Sequence, residues 1–374
     1  MGVYLNRVAT AVPPNDVHAT FIQFAQNLLE GDRSAPIFDR LVKRSQIDHR
    51  WSVLAMTDQG RAAVVGDEEI YRRGNFPSTA RRMRIFEQFA GDLGARAVAG
   101  LELGERATEI THVIAVSCTG LYAPGLDLEL VERCGLDPSV ERTVVGFMGC
   151  YASINALKLA RHIVRSDPTA RVLIVSVELC TLHLQQTTDL EQVLSFLVFG
   201  DGCAAALVTS DPVGLSLDRF HAALLPEAKG QITWTIGDGG FNMFLSGQVP
   251  ASVGEALRRG RRQILDGAEV SDIDLWAIHP GGRSVLDAVQ GALELPPEAL
   301  ADSREVLRRY GNMSSATVLF VLQRIMERTR PGERGCAMAF GPGLTAETLL
   351  FTAAPARAEV AAQAPERTLA DAPA

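Results

Sequence analysis

The stretch RTVVGFMGCYASINALKLARHIVRSDPTARVLIVSVELC, residues 142–180, determines the class of fold. It opens with a short valine-containing run that ends in glycine, and it continues with apolar residues at helical spacing. It closes with valine, isoleucine and leucine in near-continuous succession, which is typical of a strand buried on both faces. The stretch therefore predicts a strand–helix–strand unit of an α/β protein.

The same pattern recurs on both sides of this stretch. Buried-strand runs occur in THVIAVSCTG at 111–120 and in CAAALVTS at 203–210. The segment SDPVGLSLD at 210–218 reads as a connection, after which a second series begins with DLWAIHPGG and CAMAFGPG. The chain is thus predicted to contain two α/β halves.

A weak internal repeat supports the division into halves. GCYASINALKLA at 149–160 and GNMSSATVLFVL at 311–322 share glycine, a polar residue, small residues and then an apolar helix, as a duplicated architecture would produce. We place the halves at 1–212 and 213–355. The remaining tail, 356–374, has almost no large apolar residue and is predicted to be disordered.

The composition is that of an ordinary globular enzyme. Acidic residues outnumber basic ones by 44 to 36, and the net charge of -8 argues against nucleic acid as a partner. The basic run Arg81, Arg82 and Arg84 fits a phosphate site or, more simply, a solvated helix face. Neither a membrane span nor a signal peptide is apparent, so we expect a cytoplasmic protein. The cysteines are irregularly spaced, which predicts free thiols and no metal site.

Cys150 is the first candidate for chemistry. It lies between a predicted strand and a predicted helix, at or near the helix N-terminus. The positive end of the helix dipole and its free N–H groups favour thiolate over thiol, and the thiolate is the nucleophile. We therefore expect a lowered pKa for Cys150; the alternative is a small buried core cysteine.

Two further polar residues stand at comparable junctions. His279 follows the strand run DLWAI and precedes Pro-Gly-Gly, at the carboxyl end of a strand, where open α/β sheets bind ligands. Asn312 occupies a natural cap position before the next helix, and capping alone would explain it. Together with Cys150 they supply a nucleophile, its proton partner and an N–H donor for an oxyanion, which are the requirements of acyl transfer.

Five ordered segments resemble the signature motifs of chalcone synthase and its bacterial type III polyketide synthase relatives. They are GFMGCYA around Cys150, LVFGDGCAAA around Phe199, AIHPGG around His279, YGNMSSATVLFVL around Asn312 and AFGPGLTAETLLF around Phe340. The resemblance extends over residues 1–355, since VATAVPPN looks like the family's opening. HPGG and the FGPGLT loop look like this branch of the thiolase superfamily rather than the fatty-acid priming ketosynthases.

The resemblance implies a thiolase-like, five-layered αβαβα fold, a homodimer, and no cofactor, because the CoA thioesters are substrates. It implies that Cys150 takes the starter from acyl-CoA and that His279 holds this cysteine as thiolate. His279 and Asn312 would then stabilise the enolate formed when malonyl-CoA loses carbon dioxide. The lengthened chain returns to the cysteine and is finally cyclised.

Other residues match pocket positions of the family. Phe199 matches an aromatic gatekeeper, and Met243 stands where chalcone synthase has a second, phenylalanine gatekeeper. Ala123 replaces a methionine that reaches across the dimer in plant enzymes, whereas His183 and Trp234 replace smaller or less polar residues. The remaining substrate-binding candidates are Cys118, Thr119, Ser314, Phe340, Gly341 and Pro342, and the candidates for binding CoA are Lys43 and Arg44.

The starter is left open between two readings. A long acyl chain threading past Ala123 would give alkylpyrones or alkylresorcinols, and we favour this reading. A small starter, or malonyl alone, would suit a cavity narrowed by Trp234. Two other functions are alternatives: a ketosynthase that uses acyl carrier protein and extends once, and a non-catalytic acyl-binding scaffold.

Overall fold

The structure is a computed structural model that describes residues 2–56, 62–64, 68–71 and 74–354. The tail at 356–374, for which disorder is predicted, lies outside the described residues. Within the described ranges, no helix is long and apolar enough to cross a membrane.

Strands and helices alternate along the chain, as the sequence pattern predicts. The strands are β1 Tyr4–Ala11, β2 Asn15–Asp16, β3 Trp51–Ser52, β4 Ala55–Met56, β5 Ala62–Val64, β6 Glu68–Glu69, β7 His112–Ser117, β8 Glu141–Gly146, β9 Val172–Leu179, β10 Asp201–Thr209, β11 Leu215–Leu224, β12 Ile232–Gly237, β13 Gly240–Leu245, β14 Leu275–Ile278, β15 Arg334–Gly341 and β16 Thr345–Ala353. The α-helices are α1 His18–Leu28, α2 Ala35–Ser45, α3 Thr79–Ala99, α4 Leu126–Arg133, α5 Ala152–Ser166, α6 Leu190–Val198, α7 Val249–Ile264, α8 Arg283–Leu293, α9 Ala301–Tyr310 and α10 Thr317–Met326.

Nine strands form one continuous sheet in the order β14-β15-β16-β11-β1-β10-β9-β7-β8. In the first half, β7 and β9 pair in parallel, while β9–β10 and β10–β1 are antiparallel. In the second half, β14 and β15 pair in parallel, while β15–β16 and β16–β11 are antiparallel. The pairing is therefore duplicated, and the two half-sheets join where Tyr4 and Leu5 of β1 pair with Ser216 and Leu215 of β11.

The helices complete five layers. The two segments of the internal repeat become α5 and α10, which lie in the middle and share one hydrophobic core with both half-sheets. The first half-sheet packs its other face on α3 and α4, and the second packs on α7 and α8. This arrangement confirms the predicted αβαβα fold.

The middle helix α5 owes its position to small residues. Ala152, Ala156 and Ala160 are fully buried, so the helix backbone approaches the strands closely on that side. Leu157 is also fully buried, and its burial contributes about 2 kcal/mol. Because α5 is fixed on the sheet, the residues immediately before it are fixed as well.

Arg82 contradicts the interpretation of the basic run as a solvated helix face or a phosphate site, whereas Arg84 is exposed, as a solvated face requires. Its side chain is fully buried on the inner face of α3. The guanidinium donates to the carbonyl oxygens of Pro77 and Leu184 at 3.0 and 2.9 Å and to the hydroxyl of Tyr71 at 3.2 Å. Arg82 is therefore a structural tie between α3 and the chain that follows β9.

Candidate active site

One buried cavity brings Cys150, His279 and Asn312 together. The exposed fractions of these residues are 8%, 1% and 2%. The remaining walls are formed by Cys118, Thr119, Gly149, Cys180, Phe196, Phe199, Ile232, Trp234, Met243, Leu245, Val249, Gly281, Val285, Ser314, Phe340, Gly341 and Pro342. The convergence that the sequence motifs require is thus present, with the thiol from the first half and the other two groups from the second.

Cys150 lies in a short 3₁₀ turn that starts at Gly149 and leads directly into α5. Gly149 has φ +74°, and a Cβ at this position would lie 2.1 Å from Cδ of Pro342, so a larger residue does not fit. A Cβ at Gly341 would lie 2.7 Å from the ring of Tyr151. The glycines of the two motifs therefore allow their turns to pack together and to hold the thiol at the cavity.

The amide of Asn312 is oriented by its neighbours. Its Oδ1 accepts the backbone N–H of Ser314 at 2.8 Å, and its Nδ2 donates to the carbonyl oxygen of Gly281 at 3.3 Å. Its second Nδ2 hydrogen faces the sulfur of Cys150, so it can donate to that sulfur or to a ligand bound beside it. The helix α10 begins only at Thr317, so Asn312 shapes the preceding turn and is not the helix cap that the simpler reading proposed.

His279 follows β14 at the carboxyl end of that strand, as predicted. Its backbone N–H donates to the carbonyl oxygen of Met338 at 2.8 Å, which fixes the main chain. Both ring nitrogens are buried, and neither has a hydrogen-bond partner in the part of the chain that the structure describes. A neutral imidazole offers one donor and one acceptor, and both are available to a substrate or a thiol in this cavity.

Burial controls the protonation of both reactive groups. Desolvation raises the pKa of Cys150 to about 12, although hydrogen bonds from Ser314 and Asn312 oppose this shift. Desolvation also lowers the pKa of His279 to about 3. Both groups are neutral at pH 7, which corrects the expectation of a lowered pKa for Cys150. The helix N-terminus is where we expected it, but in an apolar cavity the desolvation of a charged sulfur outweighs its effect.

A buried carboxylate, absent from the sequence-based site, supports the cavity floor. Glu178 in β9 accepts the backbone N–H of Cys118 at 3.0 Å and the hydroxyl of Thr119 at 2.8 Å, and its other oxygen accepts the hydroxyl of Ser315. Desolvation raises the pKa of this carboxyl group. Glu178 thus joins the end of β7 to the turn before α10. A lone glutamate inside the apolar run RVLIVSVELC was the signal that could have identified it.

Most of the predicted pocket residues line the cavity. They are Cys118, Thr119, Phe199, Trp234, Met243, Ser314, Phe340, Gly341 and Pro342. Phe199 also forms a parallel β-bridge with Asn312, which places the predicted gatekeeper beside the amide. The cavity has further lining residues that the sequence did not single out, namely Gly149, Cys180, Phe196, Ile232, Leu245, Val249, Gly281 and Val285. Most of these are apolar residues that carry no signal beyond that of an ordinary core.

His183 lies behind the cavity wall and does not line it, contrary to its place among the predicted pocket residues. Its Nε2 lies 2.6 Å from the carbonyl oxygen of Thr119, and its Nδ1 accepts the backbone N–H of Phe241 at 3.1 Å. Its ring stacks on Phe241 and meets the edge of Trp234. His183 therefore supports Trp234, whose indole N–H donates to the carbonyl oxygen of Cys118 at 2.8 Å.

Three other predicted residues also lie away from this cavity. Ala123 is exposed on the surface, between β7 and α4 in the chain. Lys43 and Arg44 are exposed in the last turn of α2, and Arg283 at the start of α8 donates to the carbonyl oxygen of Arg44 at 3.3 Å. Within this chain, none of the three lines the walls around Cys150.

Comparison with known proteins agrees with this geometry. The family model for the N-terminal domain of chalcone and stilbene synthases matches residues 8–212, and that for the C-terminal domain matches residues 217–355. A curated relative is the "Alpha-pyrone synthesis polyketide synthase-like Pks18" of Mycobacterium tuberculosis. It is 34% identical over 339 residues, which cover 86% of this chain and 85% of the relative.

Solved structures show the same likeness. PKS-I from the brown alga Ectocarpus siliculosus is 30% identical, with a TM-score of 0.86 over 94% of this chain and 98% of the other. The C-terminal type III polyketide synthase domain of Steely1 from Dictyostelium is 23% identical, with a TM-score of 0.83 over 95% and 100%, and at that identity it shows the fold alone. The chain belongs to the chalcone and stilbene synthase family and is a type III polyketide synthase, an acyltransferase with the thiolase-like fold.

Proposed function

We propose that Cys150 carries the growing acyl chain, that His279 is its proton partner, and that Asn312 is a hydrogen-bond donor to the malonyl group. One observation carries this proposal: the three side chains, which come from both halves, line the same buried cavity. Acyl-CoA supplies the starter and malonyl-CoA the extender units in this proposal, and no cofactor takes part.

The first step is transfer of the starter. Because Cys150 and His279 are both neutral, the sulfhydryl proton passes to the imidazole as the sulfur attacks the thioester carbonyl carbon. The bond from that carbon to the CoA sulfur then breaks, and the proton leaves with CoA. The transient imidazolium beside the thiolate offsets the cost that burial imposes on either charge alone.

The second step is decarboxylation and condensation. The bond between the malonyl carboxylate and the methylene carbon breaks, carbon dioxide leaves, and the electron pair becomes an enolate on the thioester oxygen. The ring N–H of His279 and the second Nδ2–H of Asn312 donate to this oxygen. The enolate carbon then attacks the acyl thioester on Cys150, whose sulfur departs as thiolate and accepts the lengthened chain for another cycle.

We infer a fatty acyl starter and a pyrone or a resorcinol-type phenolic product. Ile232, Leu245 and Val249 give the cavity an apolar wall, and Met243 is flexible enough to adapt to a chain. The name of the relative Pks18 refers to alpha-pyrone synthesis, which supports the pyrone. The fixed indole of Trp234 is the feature that favours the alternative, a small starter or malonyl alone.

We also propose a cytoplasmic homodimer whose interface includes β8. In this edge strand, Val144 is 52% exposed, and the neighbouring Leu121 and Met148 are 47% and 38% exposed. Large apolar side chains in such a group favour coverage by a second copy. Ala123 is exposed two residues beyond Leu121 in the chain, and in this proposal the partner subunit covers it as well.

For the CoA moiety we propose Lys43 and Arg44 at the end of α2. Their exposed cationic side chains suit phosphate groups, and Arg283 contacts the main chain of Arg44. Replacing both by alanine should raise the KM for acyl-CoA and leave kcat unchanged. An unchanged KM would show that the phosphate groups of CoA bind elsewhere.

The experiment that tests the main proposal is incubation with a panel of acyl-CoA starters and isotopically labelled malonyl-CoA, followed by mass spectrometry. A cyclised product with several labelled units from a fatty starter is expected. A single extension, formed only with acyl carrier protein, would favour the ketosynthase. Absence of product, together with failure of acyl-CoA to protect Cys150 from alkylation, would favour the scaffold.

A further inference from the structure

A second cavity lies behind the wall of the active site. Cys180, Phe196 and Phe199 line both cavities, so these side chains form the partition between them. The second cavity is otherwise lined mainly by apolar side chains, including Phe21 and Phe24 of α1. None of the three proposed catalytic residues lines it, so its occupant would be distinct from the chain on the nucleophile.

Among the described residues that line the second cavity, Arg50 is the only charged one. Its side chain is almost completely buried. Its Nε donates to Nδ1 of His18 at 2.9 Å, and its Nη1 donates to the carbonyl oxygens of Phe196 and Phe199, both at 2.7 Å. Its Nη2 is buried and has no hydrogen-bond partner in the described chain.

The neighbouring acidic and hydroxyl groups are already engaged. The buried carboxylate of Asp201 accepts the hydroxyl of Thr181 at 2.7 Å and the backbone N–H of Val53 at 3.0 Å. The hydroxyls of Ser52 and Thr181 bond to each other at 2.7 Å. Desolvation lowers the pKa of Arg50 only to about 9, so the guanidinium stays charged at pH 7. The guanidinium of Arg50 also lies over the ring of Phe21, with Cζ 4.4 Å from the ring centroid, but this contact leaves the Nη2 hydrogens without an acceptor in the described chain. Such a buried cation gains strongly from an anionic acceptor, because charge-assisted hydrogen bonds are stronger in a low dielectric.

We propose that the second cavity binds an aliphatic carboxylate, with the carboxylate at Nη2 of Arg50 and the alkyl chain among Phe21, Phe24 and Phe196. The apolar walls select an alkyl chain, and a planar guanidinium selects a carboxylate. A larger, more heavily hydrated phosphate would need several donors, and in this cavity the hydroxyls of Ser52 and Thr181 are engaged with each other. The site does not depend on the proposed roles of the catalytic residues.

Equilibrium dialysis of the full-length protein with radiolabelled octanoate tests this site. Octanol, which has the same number of carbon atoms and no charge, serves as the control ligand. We expect saturable binding of octanoate at one site per chain. Octanol should bind more weakly by roughly 10-fold or more, since its neutral hydroxyl can accept a hydrogen bond from the guanidinium but lacks the negative charge and the second oxygen of the carboxylate. Equal binding of octanoate and octanol would show that the cation does not recognise the carboxylate. Absence of saturable octanoate binding would overturn the proposal.

Three variants and a surface control locate the ligand. Arg50→Met should abolish octanoate binding, with Arg106→Met as a surface control, but loss of the bonds to three acceptors can also unfold this region. Leu54→Phe therefore provides the second variant, because it fills the cavity and leaves the guanidinium in place. Met243→Trp narrows only the first cavity and should leave octanoate binding unchanged. Binding lost in Met243→Trp and kept in Leu54→Phe would place the ligand in the active site instead.

Discussion

Replacing Asn312 by alanine removes one hydrogen-bond donor from the proposed enolate site. We expect this change to slow decarboxylation strongly while the protein stays folded. The lost Nδ2–H is worth about 3 to 4 kcal/mol of barrier, by analogy with other oxyanion donors, which corresponds to a roughly 100- to 1,000-fold slower release of carbon dioxide. The same change removes the 2.8 Å bond from Ser314 to Oδ1 and leaves a buried N–H unpaired, at a cost of about 1 to 3 kcal/mol in the free energy of unfolding. A domain of ordinary stability tolerates that loss.

The assay follows carbon dioxide released from malonyl-CoA, with alkylation of Cys150 by iodoacetamide measured in parallel. The variant should decarboxylate slowly while its thiol stays alkylatable, at a rate lowered only by the loss of the hydrogen bond from Asn312 that opposes the raised pKa of Cys150. Asn155→Ala is the matched control, since Asn155 lies on α5 outside the cavity and its side chain accepts a bond from Lys158 at 3.3 Å. A variant Asn312→Ala that releases carbon dioxide at nearly the wild-type rate would refute the assigned role.

Four other predictions follow from described contacts. Alkylation of Cys150 in the free enzyme should accelerate with pH throughout the alkaline range, because burial raises its pKa; a plateau below pH 9.0, the ordinary value, would contradict this. Gly149→Ala should destabilise the protein by about 2 kcal/mol or more in urea unfolding, because of the positive φ and the contact with Pro342; an unchanged midpoint would show that the turn can relax. His18 is neutral with a pKa lowered to about 4 by desolvation and Arg50, so the unfolded chain binds more protons between pH 4 and 6.5. The free energy of unfolding therefore decreases as pH falls through that window, and His18→Asn should remove up to about 3 kcal/mol of this decrease. Wild-type and variant proteins whose stability falls in parallel with pH would contradict this prediction. Val144→Asp should shift the protein from dimer toward monomer in analytical ultracentrifugation. A ratio of dimer to monomer equal to that of the wild type would place the interface elsewhere.

The fold and the convergence of the reactive groups were predictable because their signals are local. The run that became β14 is apolar without interruption, and the run that became β9 is interrupted only by Ser176 and Glu178. The glycines beside Cys150 and His279 mark the tight turns after strands. The motif order then placed these turns in a known architecture. The family resemblance was needed for this last step, since periodicity alone does not say which turns meet.

Other properties depend on the surroundings of a residue and were not predictable. The protonation of Cys150 follows from how much water the cavity excludes, which no local pattern reports. Arg82 belongs to a basic run, yet the packing of α3 turns it toward carbonyl oxygens in the interior. The role of His183 as a support for Trp234 likewise depends on a stacking contact with Phe241, a residue distant in sequence.

The pairing of the first strand has a consequence for synthesis on the ribosome. Strand β1 pairs with β10 and β11, so residues 4–11 have no partner until residues 201–216 have emerged from the exit tunnel. More than half of the polypeptide must therefore be translated before the N-terminal edge is covered. During that interval the nascent chain exposes an unpaired strand that can pair with other chains and aggregate. Expression at lower temperature, or together with ribosome-associated chaperones, should therefore increase the yield of native enzyme.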